Sequence, residues 1–275
     1  MDVLKLYQAQ MRVPSDTEAA LDIAAEAMES AADLGADMVA LPEMFCCPYE
    51  TANFPRYAEP EGGRVWSRCA ELAAKRGLWL SAGSMPERGA DGKVYNTAYV
   101  FDRAGRMAAK HRKMHLFDID VKGGQRFMES ETLTAGSTVT VFDTEFGQLG
   151  LCVCYDFRFP ELGRLMALRG ARLVLVPAAF NPTTGPAHWE LMFRSQAMYN
   201  QVFAAGTAPA LDRTASYHSW GHTIVTAPWG NTVAQLDETE GFLLTEIDLA
   251  QTASVREQLP LLRHRRTDVY TLTEN

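Results

Sequence analysis

Two stretches of this chain are built alike. Asp37-Met-Val-Ala-Leu-Pro and Arg172-Leu-Val-Leu-Val-Pro are apolar runs closed by proline, each following a helix-patterned segment that stops at a glycine, Gly35 or Gly170. A run of about five apolar residues bounded by Gly and Pro reads as a buried strand. A strand reached through a helix from an earlier strand is the unit that builds parallel sheets. Two such units at equivalent places restrict the chain to two similar βα halves packed sheet on sheet with helices outside.

The flanking pattern fits. Val3 to Gln10 alternates as a strand, and Ser15 with Glu18 makes a capping box that opens an Ala-rich helix. A helix over about Arg64 to Gly77 and a strand over Leu78 to Ser84 complete a βαβαβ series, and Val94 to Phe101 with Arg106 to Lys113 flank Asp102-Arg-Ala-Gly as a hairpin. Lys122 to Gly136 reads as irregular. The second half then brings strands at Thr138 to Asp143 and Gln148 to Cys154, a helix from Pro160 to Arg169 and a strand at Arg172 to Pro177. A helix from Pro186 to Asn200, a strand from Val202 to Thr207 and strands near Thr223, Thr232 and Leu243 follow. With no Pro/Ser-rich linker, residues 1–275 read as one domain. The tail from about residue 258, with Arg263, His264, Arg265 and Arg266, either wraps a partner subunit or forms a solvated charge run.

Charge and cysteine content exclude several classes of partner. Lys and Arg number 26 against 34 Asp and Glu, a formal charge of -8, so the basic surface that nucleic acid requires is missing. No apolar stretch approaches the roughly 18 residues of a membrane span. The N-terminus reads as a strand rather than a signal peptide, and five cysteines (Cys46, Cys47, Cys69, Cys152, Cys154) form an odd set with no disulfide framework. Reduced thiols and a cytoplasmic location are expected.

In open α/β sheets the reactive groups sit just beyond the carboxyl ends of strands. Three residues qualify: Glu43 after Leu41-Pro, Lys113 after the hairpin, and Cys154 at a strand-to-helix turn beside free backbone N–H groups. Singly, each has an ordinary reading, as a solvated carboxylate, a surface cation and a core thiol, with Cys152 two residues earlier on the same pleat face. Together they make a base, a cation and a nucleophile.

Their surroundings are specific. At Leu41-Pro-Glu-Met-Phe, at His111-Arg-Lys-Met-His-Leu-Phe-Asp and at Leu151-Cys-Val-Cys-Tyr-Asp-Phe-Arg-Phe-Pro-Glu-Leu the chain resembles the nitrilase superfamily of carbon–nitrogen hydrolases, whose members carry a Glu, Lys, Cys triad in these contexts. Leu116-Phe-Asp-Ile-Asp, Phe127-Met-Glu-Ser, Phe180-Asn-Pro-Thr-Thr-Gly-Pro-Ala-His-Trp-Glu and Gly221-His with Pro228-Trp-Gly resemble its omega-amidase branch. The resemblance implies an αββα sandwich, a homo-oligomer, commonly a dimer, and no metal or organic cofactor. It also implies that Glu129 is a second glutamate orienting the lysine and the base. Relatives commonly have asparagine where this chain has Cys46, and a proline near Lys122.

A thiol titrates near 8.5 and a glutamate near 4.3, a gap of about four units that the site must narrow. A dry pocket, Glu129 beside the base and the Lys113 ammonium lowering the Cys154 thiol are the means available, so a buried triad is predicted. In the implied reaction Cys154 attacks an amide carbonyl, Glu43 moves the protons, and Lys113 with the Tyr155 backbone N–H holds the oxyanion. The branch implies a short dicarboxylic acid monoamide such as 2-oxoglutaramate or succinamate. Its free carboxylate calls for Arg158 as a clamp, with Tyr49 and Thr184 as further donors; the other reading of Arg158 is a structural pair with Asp156 or Glu161. Competing readings are a deaminated-glutathione amidase, an N-carbamoyl amino-acid hydrolase, a Cys–His hydrolase using His115, His188, His218 or His222, a metal site of Cys152, Cys154, His111 and His115, and a silent binding protein.

Overall fold

Along the first strand, alternate residues enter different cores: Leu4 and Leu6 pack on one side, Tyr7 and Ala9 on the other. The same division holds for Met38 and Ala40 against Val39, and for Ala98 and Val100 against Tyr99 and Phe101. A strand with two apolar faces must be covered on both. The computed structural model describes residues 2–122 and 126–274.

The strands in chain order are β1 (Val3–Gln10), β2 (Met38–Ala40), β3 (Trp79–Ser81), β4 (Met85–Arg88), β5 (Val94–Phe101), β6 (Met107–Arg112), β7 (Asp118–Asp120), β8 (Arg126–Met128), β9 (Thr140–Thr144), β10 (Gly147–Leu151), β11 (Leu173–Pro177), β12 (Phe203–Thr207), β13 (Ile224–Thr226), β14 (Thr232–Gln235) and β15 (Gly241–Asp248). The helices are α1 (Thr17–Asp33), α2 (Phe54–Tyr57), α3 (Arg64–Arg76), α4 (Pro160–Leu168), α5 (Gly185–Asn200) and α6 (Ala250–Gln258). Among the described residues one sheet runs β15-β1-β2-β3-β5, with β4 and β6 also on β5, and the second runs β14-β13-β12-β11-β10-β9. Both are mixed: β1, β2 and β3 are mutually parallel, as are β10, β11 and β12, with antiparallel strands outside them. The two proline-closed runs become β2 and β11, the middle strand of each parallel trio.

The inner faces share one core, in which Leu4, Leu6, Met38 and Val100 meet Phe142, Leu149, Leu151 and Leu175. The first sheet's outer face packs against Leu21, Ala24 and Met28 of α1 and Leu72 and Ala73 of α3. Leu162 and Met166 of α4 and Trp189, Phe193 and Ala197 of α5 cover the second. The result is the expected four-layer αββα sandwich. Close layering needs a missing side chain at Gly206 of β12, where a Cβ would lie 2.3 Å from the Phe193 ring.

Several local expectations are corrected. Asp16, not Ser15, caps α1, its carboxylate accepting from the Glu18 N–H at 3.1 Å. The strand expected over Leu78 to Ser84 breaks at Ala82, and β3 and β4 pair with different halves of β5. The second-half strand ends at Leu151 rather than at Cys154, so Cys152 and Cys154 share no pleat, although Cys152 is a buried core residue. The stretch read as irregular holds β8, paired with β7, and a 3-10 turn over Glu129–Glu131. Its residues 123–125 lie outside the described residues. No helix among the described residues is long and apolar enough to cross a membrane.

Candidate active site

Four strand ends converge on one place. Glu43 follows β2, Lys113 follows β6, Cys154 lies three residues past β10, and Ala179 two residues past β11. Two non-glycine residues here occupy the left-handed region, Met44 at φ 51° and Cys154 at φ 48°. Each costs on the order of 1–2 kcal/mol, so the surroundings must hold the backbone there. Gly83 (φ +40°) does so for the first turn. A Cβ there would come 2.1 Å from the Pro42 carbonyl, so only glycine lets the β3–β4 break press against the residue preceding Glu43. Cys154 opens a 3-10 turn over Cys154–Arg158 that leads into α4.

Glu43, Lys113 and Glu129 are at most 1% exposed. The Lys113 ammonium donates to Glu43 Oε1 at 3.0 Å and to Glu129 Oε1 at 2.9 Å, which leaves one of its three protons uncommitted. Asn96 donates to Glu43 Oε1 at 2.8 Å, the Ala179 N–H to Glu43 Oε2 at 2.9 Å, and the Phe117 N–H to Glu129 Oε2 at 2.7 Å. Burial alone would discharge Lys113, but Glu129 and Glu43 override it and hold its pKa well above the ordinary lysine value. Burial, aided by Glu43 and opposed by Lys113, pushes the Glu129 carboxyl up.

Cys154 is 4% exposed, and burial followed by the Glu43 carboxylate pushes its thiol well up. Lys113 and the Ala179 N–H act in the opposite direction, as expected for Lys113, but they do not prevail. Two carboxylates against one ammonium leave the cluster without spare positive charge for a resting thiolate. The thiol is therefore held in its neutral form beside the Glu43 carboxylate.

A cavity of about 350 Å³ opens beside this cluster, and Glu43, Tyr49, Ala179, Tyr217, Glu50 and Asp212 are among its lining residues. Tyr49 does not keep a hydroxyl free for a ligand: it lies 3.1 Å from Glu43 Oε1 and 2.8 Å from Glu129 Oε1, with a single proton for both. Thr184 stands apart from the cavity wall, its hydroxyl spent on Asn181 Oδ1 at 3.2 Å at the start of α5. Tyr155 is the second residue of the Cys154 turn. Its backbone N–H is among those that a helical turn leaves without a partner of its own.

Arg158 pairs with neither Asp156 nor Glu161. Its Nη1 meets His188 Nδ1 at 3.0 Å and its guanidinium lies 4.4 Å from the Phe180 ring centre. Burial lowers its pKa. Among the described residues no carboxylate forms an ion pair with it. The histidines are engaged away from the thiol: His111 and His115 on Asp156, His188 on Arg158, and His222 on the Trp220 carbonyl, while His218 is exposed. With both His111 ring nitrogens committed, to Thr140 and to Asp156, that ring has none left for a metal.

Sequence reasoning missed Asn96, the Ala179 N–H and Tyr217, whose hydroxyl donates to the Ala179 carbonyl at 2.5 Å and whose ring lies 4.6 Å from that of Tyr49. Asn96 left a signal, since an amide inside the buried run Val94–Phe101 needs a partner. The other two left none, because a backbone N–H carries no sequence identity and Tyr217 lies in an irregular segment.

The carbon–nitrogen hydrolase family model matches residues 5–257. The omega-amidase NIT2-A of Xenopus laevis is 46% identical over 274 residues, all of this chain and 99% of that protein. Saccharomyces cerevisiae Nit3, a member of branch 10 of the nitrilase superfamily, superposes with a TM-score of 0.89 at 37% identity, over 96% of this chain and 97% of its own. An amidase variant from Nesterenkonia sp. AN1, with the acetamide moiety of fluoroacetamide bound covalently at its active-site cysteine, gives 0.79 at 26% identity, over 97% and 95%. Family match, full-length similarity and shared fold agree: the chain belongs to the nitrilase superfamily of carbon–nitrogen hydrolases.

Proposed function

We propose that this enzyme is an omega-amidase that releases ammonia from a short dicarboxylic acid monoamide, such as 2-oxoglutaramate or succinamate, through a thioester on Cys154. The observation that carries the reading is the buried convergence of Glu43, Lys113 and Cys154 at neighbouring strand ends, with Glu43 held by Lys113, Asn96 and the Ala179 N–H. Glu43 takes the thiol proton as sulfur attacks the amide carbon. The oxyanion is held by the third Lys113 proton and the Tyr155 N–H. Glu43 then protonates the departing ammonia and later activates the water that cleaves the thioester. Glu129 and Tyr49 hold Lys113 and Glu43 in register. The trapped cysteine adduct of the Nesterenkonia amidase supports the nucleophile, and the similarity to omega-amidases supports the substrate class.

An anionic substrate also needs a cation. Arg158, four residues past Cys154 and free of any carboxylate ion pair among the described residues, supplies it. The free cysteines suit a reducing cytoplasm, and the tail beyond α6, with Val269 67% and Tyr270 54% exposed, suits a contact between copies of a homo-oligomer. Ammonia release should be measured from 2-oxoglutaramate, succinamate, deaminated glutathione and N-carbamoyl-β-alanine, with Cys154→Ala as control. Preference for the first two is expected. Activity on deaminated glutathione or the carbamoyl compound alone would overturn the substrate reading, and turnover by the control would overturn the nucleophile.

A further inference from the structure

One buried carboxylate in this region has no part in that mechanism. Asp156 lies two residues past Cys154, is fully buried, and carries five hydrogen bonds from N–H groups. Its Oδ1 accepts from the Met114 N–H at 3.0 Å, the His115 N–H at 2.8 Å and His115 Nδ1 at 2.8 Å. Its Oδ2 accepts from the Val153 N–H at 3.1 Å and faces His111 Nε2 at 2.9 Å. Met114 directly follows Lys113 in the first sheet's chain, and Val153 directly precedes Cys154 in the second's. His111 is anchored in turn on Thr140 of β9 at 2.9 Å.

We propose that Asp156 is a positioning residue that sets the Lys113 ammonium against the Cys154 thiol, by fastening the two strand ends that carry them to one carboxylate. The inference rests on the roles given above to Lys113 and Cys154. The two sheets meet through apolar packing, which is non-directional and does not fix register to a fraction of an ångström. Five charge-assisted bonds from both sides do. The same carboxylate ties down the N–H that leads into the left-handed Cys154 turn. His115 is stacked on Phe159 with ring centres 3.7 Å apart, and the buried Cys152 thiol is a further titratable neighbour. The carboxyl group is held well below its usual range, chiefly by His111 and His115 against the effect of burial, so it stays an acceptor across the working pH range.

The test is Asp156→Asn, which keeps the shape but turns an –NH2 toward either the Val153 N–H or the Met114 and His115 N–H groups. The readouts are steady-state kinetics on succinamate and the pH dependence of Cys154 alkylation by iodoacetamide. The expected result is a kcat lower by about 100-fold with KM within about threefold, and an alkylation midpoint moved upward so that the rate at pH 8 falls about tenfold, since Lys113 no longer favours the thiolate. A folded variant whose alkylation profile superimposes on wild type, or whose kcat is unchanged, overturns the proposal. Should Asp156→Asn not fold, His115→Phe keeps the Phe159 stacking and the backbone N–H and removes one donor. The same upward movement is expected from it, and an unchanged profile overturns the proposal. The alkylation arm needs no amide substrate, so a wild-type enzyme inactive on succinamate would count against the omega-amidase reading and leave this one to the thiol profile.

Discussion

Replacing Lys113 by methionine keeps the aliphatic stem and removes the one cation between two buried carboxylates. Glu43 Oε1 and Glu129 Oε1, now 3.0 and 2.9 Å from the ammonium, would face each other with no cation between them. Removing one partner of a buried ionic cluster costs about 3–5 kcal/mol, because the opposing charge is left without compensation. For a chain of this length that lowers Tm by about 5–9 °C. The variant can relieve the strain by taking up a proton, and Glu129, whose carboxyl burial already pushes up, is the group to take it. Its folded pKa then lies above the unfolded value of about 4.3. A raised folded pKa means stability present at low pH and lost as pH rises through it, so the deficit against wild type grows from pH 5 to pH 8. Scanning calorimetry across that range, alongside ammonia release, tests this. A Tm deficit under about 2 °C at pH 8, or one of equal size at pH 5, would refute the account of the cluster.

Tyr49→Phe removes the hydroxyl shared by Glu43 and Glu129 and should lower kcat about tenfold with little change in KM, measured by ammonia release; a KM effect alone would return Tyr49 to substrate binding. Arg158→Met should raise KM for succinamate at least tenfold and leave a neutral amide such as propionamide unaffected, and equal effects on both would remove the clamp role. Gly206→Ala drives a methyl group to within 2.3 Å of the buried Phe193 ring and should cost about 1–3 kcal/mol in urea denaturation without altering KM; an unchanged midpoint would contradict the layer packing described.

Much of this architecture was readable because burial writes itself into period and length. β1, β5 and β11 are long or uniformly apolar, and the repeated proline-closed run marks equivalent strands, β2 and β11, in the two halves. The meeting of Glu43, Lys113 and Cys154 follows from the same rule, since each lies just beyond an apolar run. β7 and β8 were hidden because three residues carry no periodicity, and the α1 cap moved by one residue because Ser15 and Asp16 are both competent acceptors. The partners of Arg158 and Asp156 come from segments 30 and up to 45 residues away, and no local pattern encodes such pairings. The Cys154 thiol rises rather than falls because burial and Glu43 together outweigh Lys113, a balance that only the packed site determines.

The central claim is that Cys154 carries the acyl group. Wild-type enzyme turning over succinamate should be quenched in acid, weighed intact by mass spectrometry and digested for peptide mapping. The account predicts a succinyl adduct on the peptide containing Cys154, absent from Cys154→Ala, which releases no ammonia. Ammonia release by Cys154→Ala, or an adduct on any other residue, would contradict it.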